Sequence, residues 1–243
     1  MPVLTLDYEH GEGLRQYLVQ QAPTLIAENT FEVRLTKPDG MRYRPGSAMK
    51  WYERLPDGTY ARRRTFSLVS SPHEPELVFA YRASSSDFKS RYLASLRVGD
   101  TVHLRDPQDE MRYVSGDEPF LMIAGGIGIT PMISLLRYAA YIKATRPLHL
   151  VYANPSRAKE AYGAELDRYS AEHPLTITRF ADAGVRISES DIAPFVAVQP
   201  QVYIAGPEGM TRGLRSAAIA AGMRESRVQT TDFSGYAENA GFE

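Results

Sequence analysis

Three glycines and a proline interrupt the longest uncharged run of the sequence, PFLMIAGGIGITPMISLL at residues 119–136. The run approaches the length of a membrane-spanning helix, but each glycine costs about 0.5–1 kcal/mol relative to alanine inside a regular element. Residues 120–124 suit a buried strand, and the apolar spacing from Met132 onward suits a helix. Thr130 can cap that helix, and Pro131 suits its first turn, where a missing N–H is no loss. The pattern predicts a strand, a glycine turn and a helix.

Such a turn is suited to binding an anion. Backbone N–H groups at a helix N-terminus are unpaired, and Gly125, Gly126 and Gly128 would let a pyrophosphate approach them without meeting a Cβ. The alternative is a tight connection that binds nothing, because G-G-x-G-x-T-P differs from the G-x-G-x-x-G fingerprint. A second turn, IAGP at residues 204–207, should lie at the same edge of a parallel sheet, where ligands bind.

The segment Arg64-Thr65-Phe66-Ser67 places a cation, an aromatic ring and a hydroxyl close together. In a strand, Arg64 and Phe66 share one face, which suits a phosphate beside a flat ring, and the Ser67 hydroxyl suits a ring nitrogen. The alternative interpretation is a barrel strand with a solvated arginine and a core phenylalanine.

Composition excludes several classes of protein. The 243 residues are 43% hydrophobic and 23% charged with a net charge of −1, which gives no basic excess for nucleic acid or a membrane. The absence of cysteine excludes disulfides, thiolate zinc sites and a cysteine-held iron–sulfur cluster. The five histidines are isolated in sequence, so we expect no metal site. Asp7, Glu9 and Glu12 stand where a signal peptide would be apolar, which predicts a cytoplasmic protein.

The chain divides into two patterns. Short β-type runs predict an N-terminal antiparallel β-barrel over residues 1–114, interrupted by a helix at 87–96. These runs are TLIAENTFEVRLTK, MKWYERL, ARRRTFSLVS, ELVFAYRA and DTVHLRD. Over residues 115–243, the runs FLMIA, LHLVYA, LTITRFA and QVYIA alternate with helical patterns, including 157–170 and 211–222. This alternation predicts a C-terminal α/β domain with a parallel sheet.

Four segments together resemble the ferredoxin–NADP reductase superfamily. RTFSLVSS resembles its R-x-[YF]-[ST] flavin motif, and AGGIGITPM resembles its pyridine-nucleotide loop. LASLRVGDTVHLRDP resembles the segment that ends its barrel, and VYIAGPEGMTRGL resembles its C-G-P-x-x-M turn. The four follow one another in the family's order and cover most of the chain, which is identified as a member without an iron–sulfur domain.

The resemblance implies a flavin site in the first domain. Arg64 would contact flavin phosphate, Phe66 would lie against the ring system or ribityl chain, and Ser67 would hydrogen-bond near the flavin N5. Phe66 stands where the family more often has tyrosine. Arg82 matches a basic position that flanks the flavin. Ser90 matches a pyrophosphate-binding serine, although Asp87 replaces the glycine of that motif and helix capping by Ser86 explains the segment equally well.

The resemblance also implies a nucleotide site in the second domain. Its residues would be Gly126, Gly128, Thr130, Pro131, Gly206, Pro207 and Met210. Ala205 replaces a cysteine that most relatives place near the nicotinamide, which hydride transfer does not require. Phe233 would cover the flavin until nicotinamide displaces it, with a C-terminal core anchor as the alternative. Ser156, Arg157 and Lys159 could hold the 2′-phosphate of NADPH, although the first turn of a surface helix often carries such residues without a ligand.

The implied function is an enzyme that passes electrons from NADPH or NADH through FAD, or less favourably FMN, to an external acceptor. Ser67 and Phe233 would be its catalytic residues. The acceptor could be a ferredoxin, a flavodoxin, an oxygenase component, a ferric chelate or free flavin. The rival is a non-catalytic nucleotide-binding or regulatory subunit. Basic residues exceed acidic ones around residues 42–64, which suits an acidic partner protein or simply a solvated face. They are Arg42, Arg44, Lys50, Arg54, Arg62, Arg63 and Arg64.

Overall fold

The computed structural model of the chain describes residues 5–6, 13–83, 88–182, 184 and 186–233. The strands are β1 Thr5–Leu6, β2 Leu14–Ala27, β3 Thr30–Thr36, β4 Ala48–Arg54, β5 Tyr60–Ser67, β6 Glu76–Arg82, β7 Thr101–Arg105, β8 Phe120–Gly125, β9 Leu148–Ala153, β10 Leu175–Phe180, β11 Gln201–Gly206 and β12 Val228–Asp232. The helices are α1 Ile129–Tyr141, α2 Gly163–Glu172 and α3 Glu208–Ala220. A helical segment with wide π-type turns, Phe88–Leu93, lies between β6 and β7.

The first sheet is antiparallel, with strand order β5-β4-β7-β2-β3-β6 and with β1 paired to β2. Its two end strands approach each other through an isolated bridge between Leu68 and Phe79, so the sheet curls into a barrel-like shape. The interior is apolar and aromatic: Trp51 packs edge-on against both Phe66 and Phe79. This sheet confirms the predicted antiparallel barrel.

The second sheet is parallel, with strand order β10-β9-β8-β11-β12. Every residue of the central strand β8 is buried, as expected for a strand covered by helices on both faces. The chain leaves β8 toward β9 in one direction and returns to β11 on the other side. The strand order therefore reverses between β8 and β11, which is where open α/β sheets bind ligands.

An apolar cluster joins the two sheets. Val69 and Val78 of the barrel belong to the same buried cluster as Met132 and Leu136 of α1. Helix α1 is therefore packed between the parallel sheet and the outside of the barrel. The proposed domain boundary, between residues 114 and 115, falls in the segment that links β7 to β8.

Several predicted elements have different bounds in the structure. The predicted β-type run at residues 24–37 contains a tight turn between β2 and β3. Asn29 adopts φ +55 at this turn, a left-handed conformation that asparagine tolerates better than most residues. The helix predicted at 157–170 exists but begins later, at Gly163. A 3-10 turn at Arg157–Lys159 precedes α2, and Tyr162 separates them with φ +62.

The remaining differences lie at element ends. Helix α3 begins at Glu208, three residues before the predicted 211, and strand β12 was not anticipated. The helix predicted at 87–96 corresponds to the segment Phe88–Leu93, while Ser86 and Asp87 lie outside the described residues. None of the helices within the described residues has the length and apolar character needed to span a membrane.

Candidate functional site

Two glycine turns meet where the strand order reverses. Gly125 ends β8 and Gly206 ends the neighbouring β11, and a Cβ on Gly206 would lie 3.2 Å from the Gly125 Cα. The Met210 side chain covers both, because a Cβ on Gly125 would lie 2.6 Å from its Sδ. The prediction that IAGG and IAGP share one sheet edge is confirmed.

Gly126 turns the chain away from β8 with φ +55, a conformation that favours glycine. A Cβ at this position would lie 3.0 Å from Nη1 of Arg82, which comes from the end of β6. The Arg82 guanidinium crosses from the barrel and donates to Asn154 Oδ1 at 3.3 Å and to the Lys159 carbonyl at 3.0 Å. Arg82, predicted to flank the flavin, therefore also contacts the C-terminal domain beside the first glycine turn.

Gly128 has a packing role. A Cβ there would lie 2.2 Å from the Ala205 carbonyl oxygen, so the absence of a side chain lets α1 approach β11. A side chain at Gly128 would therefore meet the backbone of β11, and the place of Gly128 in the nucleotide site stays a prediction.

Thr130 and Pro131 lie in the first turn of α1, as predicted for Pro131. The cap residue of α1 is Gly128, however, and Thr130 is buried with its hydroxyl donating to the Ile127 carbonyl at 3.1 Å. The prediction that Thr130 caps the helix is wrong because the helix begins earlier, at Ile129. Its hydroxyl stabilises the glycine turn from within.

The RTFS segment forms the end of β5. Phe66 is 8% exposed in the barrel interior, where it stacks on Phe88 with ring centroids 6.2 Å apart. Thr65 is half-buried opposite Lys50, and the Arg64 guanidinium lies 5.9 Å from the Phe88 ring centroid. These positions are compatible with both the flavin and the core interpretation of this segment.

Ser67 is buried, with 3% of its surface exposed, and its hydroxyl makes no hydrogen bond within the described residues. A buried hydroxyl without a partner is costly, so such atoms often await a ligand or water. Arg82 Nε is likewise buried and without a partner in the described part of the chain.

Lys89 joins Arg64 and Arg82 in a cluster of positive charge and was not identified from the sequence. Burial lowers the pKa of its ammonium group, and the charges of Arg64 and Arg82 lower it further. Three cations that disfavour one another are stabilised by a bound anion. Ser90, the next residue, is exposed in the same helical segment.

A cavity of about 940 Å³ connects the glycine turns with Arg82 and Lys89 of this cluster. Of the predicted site residues, its lining includes Arg82, Gly126, Gly206, Pro207, Met210 and Phe233. The lining also contains Lys89, Asn154, Asp182, Arg186, Ser188 and Glu189, which sequence reasoning missed. Asp182 and Glu189 follow β10, where the sequence shows no motif, so only the fold brings them to the cavity.

Other predicted residues lie outside the cavity lining. Ser156 precedes the 3-10 turn, and Arg157 donates to Glu160 Oε2 at 2.6 Å. Glu160 is nearly fully buried and also accepts from Arg179 Nε at 2.8 Å. Arg157 is thus engaged within its own domain. Arg64, Thr65, Phe66, Ser67, Ser90, Gly128, Thr130 and Pro131 also lie outside the lining.

Phe233 is the last residue of the described range 186–233. Its N–H donates to the Gly206 carbonyl at 2.9 Å, which fixes it beside the second glycine turn. The ring is half-buried against the apolar cluster that joins the two sheets. The position suits both a cover over a ligand and a core anchor.

Comparison with known proteins agrees with this geometry. Residues 122–216 match the family described as the oxidoreductase NAD-binding domain. The chain is 30% identical over 198 residues to a phthalate 4,5-dioxygenase oxygenase reductase subunit of Pseudomonas putida, covering 76% of this chain and 58% of that protein. It is 27% identical over 179 residues to a flavohemoprotein of Pseudomonas putida, covering 68% of this chain and 45% of that protein. The chain thus spans less than two thirds of either relative.

A solved structure shares the whole arrangement of the two sheets. The flavohem-like FAD/NAD-binding domain of nitric oxide dioxygenase from Vibrio cholerae superposes with a TM-score of 0.74 at 20% identity, covering 90% of this chain and 98% of that one. The predicted resemblance is confirmed: residues 122–216 match the oxidoreductase NAD-binding domain family, and the two-domain fold is the one seen in this FAD/NAD-binding domain.

Proposed function

We propose that the chain is an NAD(P)H-dependent flavoprotein reductase that binds FAD at the barrel, binds the nicotinamide nucleotide at the glycine turns and passes electrons to an external acceptor. The observation that carries this proposal is a cavity to which both domains contribute residues. The barrel contributes Arg82 and the helical segment contributes Lys89, whereas the NAD-binding domain contributes Gly126 and Gly206. Two redox groups that must exchange a hydride need such a common space.

The barrel side fits a flavin. Arg64, Arg82 and Lys89 would neutralise its phosphates, and the buried Ser67 Oγ, which lacks a partner among the described residues, would find one at the ring. A bound flavin supplies the ability to accept a hydride and release electrons singly. Asp87 and the neighbouring Ser86 lie outside the described residues, so the assignment of Ser90 stays a prediction.

The chain's own residues would orient the two rings and exclude water. The Phe233 N–H is tied to Gly206, which holds the aromatic ring at the cavity wall beside the glycine turns. Ser67 would donate or accept a hydrogen bond at the flavin N5, according to the protonation of that atom. Phe233 must move aside when nicotinamide enters.

An absorption spectrum tests the central proposal. The purified protein should be yellow, should lose its colour anaerobically when NADH or NADPH is added, and should release FAD rather than FMN on denaturation. A colourless protein that takes up neither flavin would favour the non-catalytic subunit.

A pair of variants tests the flavin ligand. Arg64→Ala should lower flavin content, whereas Arg63→Ala, on the opposite and exposed face of β5, should leave it unchanged. A fully loaded Arg64→Ala protein would remove Arg64 from the site.

For the nucleotide we propose NADH as the preferred donor, in place of the slight preference for NADPH that Ser156 and Arg157 suggest in the sequence. Arg157 is occupied by Glu160, and the carboxylates of Asp182 and Glu189 line the cavity instead. Asp182 follows β10 by two residues and accepts from the Gly184 N–H at 2.8 Å. A carboxylate there can bind ribose hydroxyls but repels a 2′-phosphate.

Steady-state kinetics with both nucleotides decide between these alternatives. Wild type should prefer NADH, Asp182→Ser should narrow that preference, and Arg157→Ala should leave it unchanged. A wild type that prefers NADPH and loses this preference in Arg157→Ala would restore the assignment of Ser156 and Arg157.

For the acceptor we propose an acidic redox protein, such as a ferredoxin, a flavodoxin or an oxygenase component. The relative from Pseudomonas putida is named as a reductase subunit of an oxygenase, which supports this class of acceptor. On the outer face of the barrel, burial and the charges of Arg63 and Arg105 lower the pKa of Lys50, which indicates crowded positive charge. The rate at which the wild-type protein reduces an acidic ferredoxin should then fall as the salt concentration is raised. Ferricyanide is the control acceptor: Lys50→Gln and wild type should reduce it at the same rate.

A further inference from the structure

The two halves of the proposed site are joined away from the cavity by a polar contact between α1 and the loop after β5. We call the four residues Ser70, Glu74, Ser134 and Arg137 the α1 junction. The Arg137 guanidinium donates two hydrogen bonds to Glu165 of α2, Nε to Oε1 at 2.8 Å and Nη2 to Oε2 at 2.9 Å. Its remaining nitrogen, Nη1, donates to Glu74 Oε1 at 3.1 Å across the interface.

A second contact lies one helical turn earlier on the same face of α1. The Ser134 hydroxyl donates to the Ser70 carbonyl at 2.8 Å and accepts from the Gly46 N–H at 3.2 Å. Ser70 and Ser134 are both fully buried. Because Ser134 and Arg137 are three residues apart, the helix is held to the barrel at two points and cannot rotate about either one alone.

The position of the junction along the chain makes it relevant to the site. Ser70 lies three residues after Ser67, and Ser134 lies six residues after Gly128. A shift of α1 against the loop would therefore move the first glycine turn relative to the RTFS segment. Only a few residues separate the junction from each of these segments, so the chain between them cannot take up such a shift. The glycine contact at Ala205 transmits such a shift to β11 as well.

We propose that the α1 junction positions the nicotinamide against the flavin, so that Arg137 and Ser134 are positioning residues for hydride transfer. This inference rests on the proposed function. None of the four residues lines the cavity, so their loss should change the alignment of the two rings and leave the affinity for each ligand intact. Misplacing reacting atoms by a fraction of an ångström lowers the rate steeply.

The test compares flavin-loaded Arg137→Leu and Ser134→Ala with wild type in anaerobic single-turnover reduction by NADH. We expect the limiting rate of flavin reduction to fall about tenfold in Arg137→Leu, with a smaller fall in Ser134→Ala and an unchanged nucleotide Kd. The long-wavelength charge-transfer absorbance, which reports stacking of nicotinamide on flavin, should weaken in parallel. Arg137→Lys, which keeps the charge but loses the fork, should give an intermediate rate.

The matched control is Arg179→Leu. Arg179 is also half-buried and bonded to two carboxylates, Glu160 and Asp167, but all three belong to the NAD-binding domain. It should lower the melting temperature without lowering the limiting rate. If Arg179→Leu and Arg137→Leu slow reduction equally, or if neither Arg137→Leu nor Ser134→Ala does, the junction has no positioning role.

A measurement without flavin separates this inference from the proposed function. In flavin-free protein, amide hydrogen exchange over residues 70–76 should quicken in Arg137→Leu and stay unchanged in Arg179→Leu. A wild type that takes up no flavin contradicts the proposed function. If amide hydrogen exchange is identical in wild type, Arg137→Leu and Arg179→Leu, Arg137 does not hold α1 to the loop after β5.

Discussion

The two sides of the cavity are built from different materials. The proposed nucleotide side is backbone: Gly125, Gly126 and Gly206 bring main chain to the cavity wall, and Gly128 brings α1 onto β11. The barrel side is made of side chains, the Arg82 and Lys89 cations, with the Ser67 hydroxyl buried outside the cavity lining. Changes on the nucleotide side therefore act on the fold as well as on binding, whereas changes on the barrel side should act on binding with little effect on the fold.

Gly128→Val would give the largest effect. Its Cβ would lie 2.2 Å from the Ala205 carbonyl oxygen, so α1 and β11 must separate. We expect a destabilisation of about 4 kcal/mol or more, measured by urea unfolding. Gly213→Ala is the control, because its Cβ meets open space and alanine in a helix interior should stabilise by about 0.8–1 kcal/mol. A Gly128→Val protein as stable as wild type would refute the packing role.

Gly126→Ala should have an intermediate effect, lowering both the stability of the fold and the affinity for the nucleotide. A φ of +55 costs an alanine about 1–2 kcal/mol, and the contact at 3.0 Å is with the flexible end of Arg82, which can move. We expect a folded, yellow protein with a moderately lower melting temperature and a raised Kd for NADH. If nucleotide binding is unchanged, the turn is a structural connection, the alternative recognised in the sequence.

Lys89→Met should weaken flavin binding about tenfold, since a charge-assisted hydrogen bond contributes about 1.5–3 kcal/mol, with little change in the stability of the flavin-free protein. Fluorescence titration with FAD measures the loss. Lys143→Met, an exposed lysine at the end of α1, should bind FAD like wild type and serves as the control. Equal affinities in Lys89→Met and wild type would exclude Lys89 from the phosphate site.

The pKa of Lys89 adds a pH dependence with a defined sign. Because this pKa is lowered in the folded protein, the unfolded chain holds more protons between the folded pKa and the ordinary lysine value. The stability of the flavin-free protein should therefore rise with pH across that window, while flavin affinity falls as Lys89 loses its charge. Lys89→Met should flatten both trends, and a variant that keeps them would show that another group is responsible.

Ser67→Ala should have the smallest effect, with opposite signs in the two states. Without flavin, removing a buried hydroxyl that has no partner among the described residues should stabilise the barrel slightly, by up to about 1 kcal/mol. With flavin bound, the same change removes a hydrogen bond and should lower the melting temperature. Ser70→Ala is the control, because Ser70 Oγ already accepts from the Val78 N–H and its loss should destabilise both states. If Ser67→Ala changes the stability by the same amount with and without flavin, the Ser67 hydroxyl does not contact the flavin.

The sequence predicted best what depends on local spacing. The two glycine turns were found because strand, glycine and helix signals lie within a few residues, and parallel strands carry their ends to one edge. The two-sheet division followed from the change between alternating strands and strand–helix units. These features depend on residues that are close together in the chain, so they can be predicted from a single sequence.

Contacts between distant segments could not be read in the same way. Lys89 becomes part of the cation cluster because the segment Phe88–Leu93 packs beside β5 and β6, and nothing near it in sequence signals this. Asp182 and Glu189 reach the cavity through the fold of the NAD-binding domain. The binding role predicted for Arg157 from its residue type is left open, because Glu160 already holds it.

The incomplete closure of the barrel has a consequence for how the protein survives in a cell. Strand β5 ends the strand order of its sheet, and the Leu68–Phe79 bridge fastens it to β6 at one end. A ligand that binds the RTFS segment and the end of β6 together would close this gap, and by mass action a hundredfold excess of free ligand over Kd stabilises the bound state by about 2.7 kcal/mol. If flavin is that ligand, as proposed, the supply of flavin during synthesis should set how much of the chain escapes proteolysis, so that the amount of folded protein follows the availability of flavin.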